Sequence, residues 1–288
     1  MKTFTPLRYP GGKTKFYPHI RALIYENDLQ GGIYIEPFAG GAGLALSLLM
    51  NEDVDQIVLN DLDPAIYAFW KSVVGKADDF CELLERTPVT TTEWENQRAI
   101  YRAKDISNFL TLGFSAFYLN RTNVSGVLTG GMIGGKMQSG TYKLDSRFSK
   151  KNLIEKIQRI ARYKNRIQLK NQDAAFFLSE LRMQRLSDVF LNIDPPYVEK
   201  GARLYKNSFE IADHSGLREI IAQLNYPWVV TYDLCPLVEN LYKDYRRETL
   251  DVSYSVRTAR NAKEYIFFSH DLKIPVQLPT ENQSIYQR

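Results

Sequence analysis

Short apolar runs alternate with segments of helical character along most of this sequence. Val189–Ile193 and Trp228–Thr231 are apolar at most positions, so both faces of each run can be buried. Strands of that kind are typical of a parallel sheet that is covered by helices on both sides. Further runs with strand character are Ile33–Glu36, Gln56–Asn60, Ile167–Leu169 and Tyr265–Phe268. The pattern predicts an α/β fold with a largely parallel sheet.

The composition restricts the class of protein further. With 288 residues, 44% of them hydrophobic, the chain can bury a substantial core as one large domain or two closely packed ones. No apolar stretch reaches the roughly 18 residues that cross a bilayer, and Met1–Pro6 has no apolar signal core. Two distant cysteines and three histidines give neither a disulfide framework nor a zinc-binding spacing. We therefore expect a cytoplasmic protein without a structural metal or a membrane segment.

The net charge of +4 hides an uneven distribution. Residues 86–170 carry a net charge of +11, whereas residues 1–85 carry −5 and residues 171–288 carry −2. Clustered Lys and Arg gain affinity for polyanions because they release counterions from phosphates. A segment this basic favours a polyanion-binding insert, and a solvated basic surface is the alternative.

A glycine-rich loop, residues 38–43, follows the first predicted strand and precedes a helical segment. Glycines at such a place let a ligand approach the backbone closely. The spacing departs from the G-x-G-x-x-G of dinucleotide sites, but Asp61 ends the next strand, 20 residues beyond Gly41. A carboxylate there suits the hydroxyls of a ribose. The alternative is a packing turn and an unrelated surface aspartate.

The sharpest motif is Asp194-Pro195-Pro196-Tyr197, directly after the apolar run that ends at Ile193. Two prolines force an extended exit and remove two N–H donors, which leaves a carboxylate, a backbone carbonyl and an aromatic face. Such acceptors can hold the amino group of a planar base and localise its lone pair. That lone pair can then displace a methyl group carried on a sulfonium. The alternative is a simple strand-to-loop turn.

Taken in chain order, these motifs resemble those of the α-group DNA adenine-N6 methyltransferases, the Dam-like or D12 class. Arg8-Tyr9-Pro10-Gly11-Gly12-Lys13 resembles the N-terminal motif of the family, and residues 36–43 with Asp61 resemble its S-adenosylmethionine site. Asp194–Tyr197 resembles its catalytic motif. That family carries its target-recognition domain where this chain has its basic segment. The resemblance covers most of the chain.

The resemblance implies a Rossmann-like core of an S-adenosylmethionine-dependent methyltransferase with an inserted, mostly helical target-recognition domain. The implied core is discontinuous and comprises residues 1–85 and 166–275, the insert comprises residues 86–165, and residues 276–288 form a tail. The implied reaction is site-specific transfer of a methyl group to N6 of an adenine flipped out of double-stranded DNA. Such a bacterial or phage enzyme acts in the cytoplasm, needs no metal and no obligate protein partner, and suffices as a monomer.

Site residues follow from matching the motifs position by position. Those that would contact S-adenosylmethionine are Tyr9, Lys13, Glu36, Phe38, Gly40, Gly43, Asp61 and Asp173. Those that would carry catalysis are Asp194, Pro195, Pro196 and Tyr197. Those that would contact DNA are Arg8, Asn120, Arg121 and Lys136. Lys13 is expected to pair with the methionine carboxylate, and Asp173 has an alternative role as the cap of the helix that follows it.

Several alternatives stay open. Phe117 and Tyr118 belong either to the DNA-contacting surface or to the core. The competing functions are a nucleic-acid-binding module, an RNA or protein methyltransferase, and a cytosine-N4 methyltransferase. Asp194 favours adenine, because the related protein-glutamine enzymes carry Asn at that place and cytosine-N4 enzymes carry Ser. The sequence determines neither the recognition site, for which GATC is the first candidate, nor whether the role lies in restriction-modification, a phage or host regulation.

Overall fold

In the part of the chain that the structure describes, seven strands form one mixed sheet. The computed structural model describes residues 3–8, 12–198, 209–256 and 258–276, with the side chains of residues 251–262 excepted. The strands are β1 (Ile33–Glu36), β2 (Gln56–Asn60), β3 (Ile167–Lys170), β4 (Val189–Ile193), β5 (Trp228–Asp233), β6 (Arg246–Val256) and β7 (Thr258–Phe268). Their order is β3-β2-β1-β4-β5-β7-β6. The first five strands are parallel, and β7 runs antiparallel to β5 and β6.

Helices pack on both faces of this sheet. They are α1 (Tyr17–Glu26), α2 (Gly43–Met50), α3 (Pro64–Gly75), α4 (Ala77–Arg86), α5 (Thr91–Ala103), α6 (Phe109–Thr122), α7 (Lys150–Ala161), α8 (Ala174–Leu181), α9 (Ile211–Ile221) and α10 (Pro236–Leu241). Short 3-10 helices span Lys13–Phe16, Val124–Gly126 and Lys164–Arg166. None of the described helices has the length and apolar character needed to cross a membrane.

The central strands β1, β4 and β5 are buried on both sides because their successive residues enter different apolar clusters. Tyr34 of β1 belongs to the cluster that contains α1 to α7, whereas its neighbour Ile35 belongs to the cluster that contains α8 to α10. All five residues of β4 are buried. The predicted α/β fold with a Rossmann-like core is therefore confirmed.

The direction in which successive strands are added to the sheet reverses between β1 and β4. From β1 the chain builds outward through β2 and β3, and it then returns to place β4 and β5 on the other side of β1. Ligands of open α/β sheets bind outside the carboxyl ends of the strands at such a switch point. Glu36 and Asp194, which end or follow these two strands, thus flank the crevice where a ligand is expected.

Local signals in the sequence set the start of helix α3. Asp63 has an extended backbone and accepts a hydrogen bond from the Ala65 N–H at 2.9 Å, and Pro64 occupies the first helical position. This is the cap and proline arrangement that favours a helix start. Asp63 also accepts a hydrogen bond from the Lys104 ammonium at 2.6 Å, which ties the basic segment to the sheet.

The basic segment is mostly helical, as expected, and its helices share the core of the chain's first third. The Phe117 ring of α6 stacks on Phe69 of α3 at 5.8 Å between centroids and meets the edge of Phe80 of α4 at 5.3 Å. Phe117 and Tyr118 are both fully buried, so they belong to the core. Residues on both sides of the predicted boundaries at 85 and 165 contribute to one apolar cluster. The division of the chain into separate domains stays a prediction.

The structure differs from the sequence-based expectation in two strands. β6 has no counterpart among the predicted strands, since Arg246–Leu250 is polar and lies at the edge of the sheet, where side chains meet solvent. β7 begins at Thr258, seven residues before the predicted run at Tyr265, because it pairs with β6 beyond the end of β5. The hairpin of β6 and β7 therefore extends past the carboxyl edge of the parallel strands.

The close contact between two helices gives a test of the packing. A Cβ atom on Gly113 of α6 would lie 2.5 Å from the Ala68 carbonyl oxygen of α3. Since backbone atoms cannot move aside easily, we expect Gly113→Ala to lower the free energy of unfolding by about 1–3 kcal/mol. A Cβ atom on Gly216 of α9 would meet nothing within 4 Å, so Gly216→Ala should raise that free energy by about 0.5–1 kcal/mol. Urea denaturation of both variants measures the difference, and equal effects would contradict the close α3–α6 crossing.

Candidate active site

A cavity of about 480 Å³ opens at the switch point of the sheet. Its wall is formed by the loops that follow β1, β2 and β4, together with the N-terminal segment around Lys13. The side chains and loop residues that line it include Thr14, Glu36, Phe38, Gly40, Gly43, Asp61, Asp63, Asn192, Asp194, Pro196 and Phe209. Residues from distant parts of the chain thus meet in one concave site.

The glycine-rich loop between β1 and α2 has a backbone conformation that restricts its residues. Gly40 and Ala42 both have φ of +46°, in the left-handed region that favours glycine. The Gly40 carbonyl accepts a hydrogen bond from the Trp70 indole at 2.9 Å, and its N–H donates to Asp61 at 2.8 Å. At Gly43 a Cβ atom would lie 2.3 Å from the Thr14 hydroxyl oxygen. The loop is therefore fixed from both sides while its backbone faces the cavity.

Glu36 presents a buried carboxyl group at the start of this loop. One of its oxygens accepts hydrogen bonds from the Tyr34 hydroxyl at 3.1 Å and the Ala45 N–H at 3.2 Å. Burial nevertheless raises the pKa of Glu36 to about 8, against the lowering effect of these hydrogen bonds. A positively charged group of a ligand would favour the ionised form. Glu36 is thus suited to a cation at this end of the cavity.

Asp61 presents a second carboxyl group from the end of β2. Its two oxygens accept hydrogen bonds from the Gly40 N–H at 2.8 Å and the Asp63 N–H at 2.9 Å. These contacts fix the plane of the carboxyl group, and burial raises its pKa to about 6. Carboxylate oxygens have further lone pairs that can accept hydroxyl groups. Asp61 can therefore hold a polyol such as a ribose.

The segment after β4 carries the third carboxylate, Asp194. One oxygen accepts a hydrogen bond from the Thr231 hydroxyl at 2.7 Å, and the other lies 3.0 Å from the Lys13 ammonium. That ammonium also donates to the Tyr197 hydroxyl at 2.6 Å and lies 3.3 Å from a Glu264 oxygen. Pro195 is buried, and the two prolines carry the chain away from the sheet in an extended form. The result is an acceptor group held rigidly beside an aromatic ring.

A comparison with models of known protein families identifies the family of this chain. The family model of the D12 class N6 adenine-specific DNA methyltransferases matches residues 9–256. The chain belongs to this family. The suspected enzyme class, an adenine-specific DNA methyltransferase, is thereby confirmed, and a comparison with curated proteins gave no significant match.

The solved structures that this methyltransferase resembles are distant. A proposed RNA methyltransferase from Pyrococcus horikoshii has 12% identity and a TM-score of 0.42, with 91% of this chain and 85% of that chain covered. A conserved hypothetical protein of Streptococcus pyogenes has 12% identity and a TM-score of 0.33, over 85% and 89% of the two chains. A SAM-dependent methyltransferase from Agrobacterium tumefaciens has 9% identity and a TM-score of 0.38, over 87% and 61%. The family assignment depends on the sequence match and not on these structures.

The residues expected to bind the cofactor are gathered around the cavity, with two exceptions. Glu36, Phe38, Gly40, Gly43 and Asp61 all line it. Asp173 caps helix α8, where it accepts a hydrogen bond from the Phe176 N–H at 3.1 Å, so its alternative role is realised. Tyr9 lies outside the described residues.

Lys13 lines the cavity, but its ammonium contacts acidic groups of the methyltransferase itself. The residue is 8% exposed, and its ammonium is surrounded by Asp194, Tyr197 and Glu264. The motif match predicts instead that Lys13 pairs with a ligand carboxylate. The structure places its ammonium between Asp194, Tyr197 and Glu264 of β7, a strand that the motifs do not include.

The residues expected to contact DNA differ in how far their side chains are exposed. Asn120 is fully buried, where its amide accepts from the Arg8 N–H at 2.7 Å and donates to the carbonyls of Arg8 and Gly126. Its side chain therefore holds the fold together and is not presented to a base. Lys136 is exposed in the loop between α6 and α7.

Arg8 and Arg121 form a basic cluster together with Arg147. The Arg8 guanidinium donates to the Asn123 carbonyl at 3.2 Å, and Arg121 donates to the carbonyls of Pro6 and Arg147 at 3.3 and 2.7 Å. Burial, and then the charges of Arg8 and Arg147, lower the pKa of Arg121 to about 10. Three guanidinium groups that repel one another create a strong positive potential, which an anion would relieve.

Three residues of this site are absent from the sequence-based prediction. Thr231 donates a hydrogen bond to Asp194, Glu264 forms an ion pair with Lys13, and Phe209 packs edge-on against Phe38 at 6.0 Å between centroids. Thr231 lies on β5, which is next to β4 in the sheet. The sequence predicts the strand but not the strand order, so it does not reveal that Thr231 lies beside Asp194. Glu264 ends a polar run and carries no local signal. Pairing of β7 with β5 is what brings it to the site.

The buried carboxyl group of Glu36 predicts a pH dependence of stability. Because its pKa is raised from 4.5 to about 8, the native state binds a proton that the unfolded state releases between these values. The free energy of unfolding of the wild type, relative to that of Glu36→Gln, should thus fall as pH rises from about 5 to about 8. We expect a loss on the order of 3 kcal/mol.

Urea denaturation across this pH range measures the difference. Glu82→Gln, at an exposed position of α4, is the matched control and should follow the wild type at every pH. A difference between the wild type and Glu36→Gln that does not change with pH would contradict the assignment.

Proposed function

We propose that this methyltransferase transfers the methyl group of S-adenosylmethionine to N6 of an adenine that has been flipped out of double-stranded DNA. The observation that carries the proposal is that Asp194 borders the same cavity as the glycine loop, Glu36 and Asp61. An acceptor for an amino group and a cradle for a nucleoside with a charged end are therefore contiguous. The membership of the D12 family supplies the base and the atom.

The chemistry of the cavity fits S-adenosylmethionine along its length. A volume of about 480 Å³ lies within the range of roughly 300–1000 Å³ that small-ligand sites have. Asp61 suits the ribose hydroxyls and Glu36 suits the amino group of the methionine part. The close contact of Gly43 with Thr14 leaves the loop backbone as the surface that the cofactor meets. When bound, the cofactor supplies a methyl group on a sulfonium, with no metal needed.

Asp194 and Pro195 are the groups that prepare the adenine amino group. Its lone pair is delocalised into the ring, so it is a weak nucleophile. The Asp194 carboxylate and the Pro195 carbonyl can each accept one of its N–H groups and thereby localise the lone pair at N6. Thr231 and Lys13 fix the Asp194 carboxylate, so little reorganisation is needed as charge develops. After methyl transfer N6 releases a proton, which Asp194 is positioned to accept.

The position of these groups supports base flipping as part of the proposal. Within a duplex the adenine amino group is paired and stacked, so we expect the nucleotide to leave the helix to reach Asp194, which lines the cavity. Tyr197 offers a ring against which the extruded base can stack. The Lys13 ammonium lies 4.9 Å from the centre of that ring and fixes its hydroxyl. The ring is therefore held ready for an aromatic partner.

The duplex itself would contact the basic surface beside the cavity. Arg8, Arg121 and Arg147 lie together, and the segment 86–170 carries a net charge of +11. Such clusters bind phosphates through charge neutralisation and counterion release. The loop 123–149, which includes exposed Lys136, connects this cluster to the helices of the core and is our candidate for reading base edges.

The reaction is tested by transfer of tritiated methyl from S-adenosylmethionine to duplex DNA, followed by digestion and chromatography of the nucleosides. We expect the label in N6-methyladenine. Asp194→Asn should lower the single-turnover rate by about 10²–10³-fold while the Kd for S-adenosylmethionine changes less than about threefold, because Asp194 acts on the base.

Asp188→Asn provides the matched control. Asp188 is exposed directly before β4, at the end of the strand opposite Asp194. This variant should keep the wild-type rate. Label in cytosine, RNA or protein only, or full activity of Asp194→Asn, would rule out the proposed reaction.

A further inference from the structure

Glu264 is a fully buried acidic residue that the mechanism above does not use. It lies on β7, directly opposite Asp233 of β5, and both side chains are buried. Residues opposite each other in an antiparallel pair project to the same face of the sheet, so the two carboxyl groups share one environment. A buried carboxylate is costly unless an opposite charge compensates it. Its presence next to Lys13, which lines the cavity, therefore requires an explanation.

The compensating charge is the ammonium of Lys13. Its nitrogen lies 3.3 Å from a Glu264 oxygen, 3.0 Å from an Asp194 oxygen and 2.6 Å from the Tyr197 hydroxyl. The ammonium donates a hydrogen bond to the Tyr197 hydroxyl and forms ion pairs with the two carboxylates. Lys13 is thus held at three points, of which two belong to the catalytic motif and the third is Glu264.

Glu264 fixes the Lys13 ammonium and thereby the positions of the Asp194 carboxylate and the Tyr197 hydroxyl. Lysine has a flexible four-carbon chain, so an ammonium with only Asp194 and Tyr197 as partners could follow either of them towards the cavity. Glu264 comes from a strand that is paired on both sides, with β5 and with β6, and it cannot move with the loop. It anchors the ammonium on the sheet, and the ammonium in turn orients Asp194 and Tyr197.

We propose that Glu264 is a positioning residue for methyl transfer, which acts by holding the Lys13 ammonium between Asp194 and Tyr197. The inference rests on the proposed function, because it concerns the rate of the same reaction. Glu264 itself stays behind Lys13 and is not assigned a contact with the adenine or the cofactor.

Protonation of Glu264 should weaken this arrangement. Burial raises the pKa of Glu264 and Asp194 adds to the shift, whereas Lys13 and a hydrogen bond with the Tyr197 side chain oppose it. The titratable groups that face it are Lys13, Asp194, Tyr197 and Asp233. As pH falls through its raised pKa, the carboxylate becomes neutral and attracts the ammonium less. Glu264→Gln reproduces this neutral state at every pH.

The test compares single-turnover methyl transfer by the wild type and Glu264→Gln as a function of pH. At high pH the variant should be about tenfold slower, while the Kd for S-adenosylmethionine changes less than about threefold. As pH falls, the ratio of the two rates should approach 1. Glu36 and Asp61 also have raised pKa values, but their titration is common to both proteins and cancels in the ratio. A ratio near 1 at all pH values, or one that is independent of pH, overturns the proposal.

A double-mutant cycle shows whether Glu264 acts through Lys13. Lys13→Met should itself lower the rate, and in that background Glu264→Gln should change the rate less than about twofold. Multiplicative losses would mean that Glu264 acts independently of Lys13, against the proposal. If Glu264→Gln does not fold, Glu264→Asp is the substitute, because it keeps the negative charge. Its methyl-transfer rate should fall at low pH as that of the wild type does. A rate that does not fall at low pH would count against the inference.

Glu248→Gln on the neighbouring strand β6 is the matched control for a change from carboxyl to amide, and it should leave the rate unchanged. Thermal unfolding of each variant separates a loss of fold from a loss of positioning. If the wild type transfers no methyl group to adenine, the proposed function fails; if it does and Glu264→Gln is as fast, only the role of Glu264 fails.

Discussion

The arrangement of the site depends on one ammonium group, that of Lys13, which is shared by oxygens from three parts of the chain. It reaches the site from the N-terminal segment, whereas Asp194 and Tyr197 follow β4 and Glu264 lies on β7. Two carboxyl groups so close together would repel each other strongly without the cation between them. The attraction that removes this repulsion also fixes the positions of the groups that would act on a base.

A similar dual use of groups is visible at the other end of the cavity. Asp61 accepts hydrogen bonds from the Gly40 N–H and the Asp63 N–H, so the carboxyl group proposed to hold the ribose also closes the glycine loop onto β2. Trp70 holds the same loop from the side of helix α3. The ligand-binding groups are thus part of the structure that supports them. Pre-organisation of this kind reduces the loss of conformational entropy when a ligand binds.

Much of the fold could be predicted from the sequence, because strong local signals determine it. The apolar runs indicated β1, β2, β4 and β5, and Asp63 with Pro64 indicated the start of α3. Motif matching also indicated the carboxyl groups that border the cavity. Prediction failed where tertiary contacts decide the outcome. The strand β6 is polar because it lies at an edge, and Glu264 becomes important only through strand pairing. Asn120 is a similar case, since an Asn beside an Arg in sequence does not reveal that its amide is used inside the protein.

The packing of α6 against α3 bears on how an enzyme of this kind can acquire a new sequence preference. Gly113 brings the two backbones so close that α6 cannot rotate or shift against α3 without a steric clash. The loop 123–149 contains, beyond the short 3-10 helix at its start, neither a helix nor a strand among its described residues. Met132, Leu144 and Phe148 of this loop are buried in the core, whereas positions such as Lys136 are exposed and can change without disturbing it. If this loop reads base edges, as proposed, a change of target choice can arise at its exposed positions, while the close α3–α6 contact constrains the helix that precedes it.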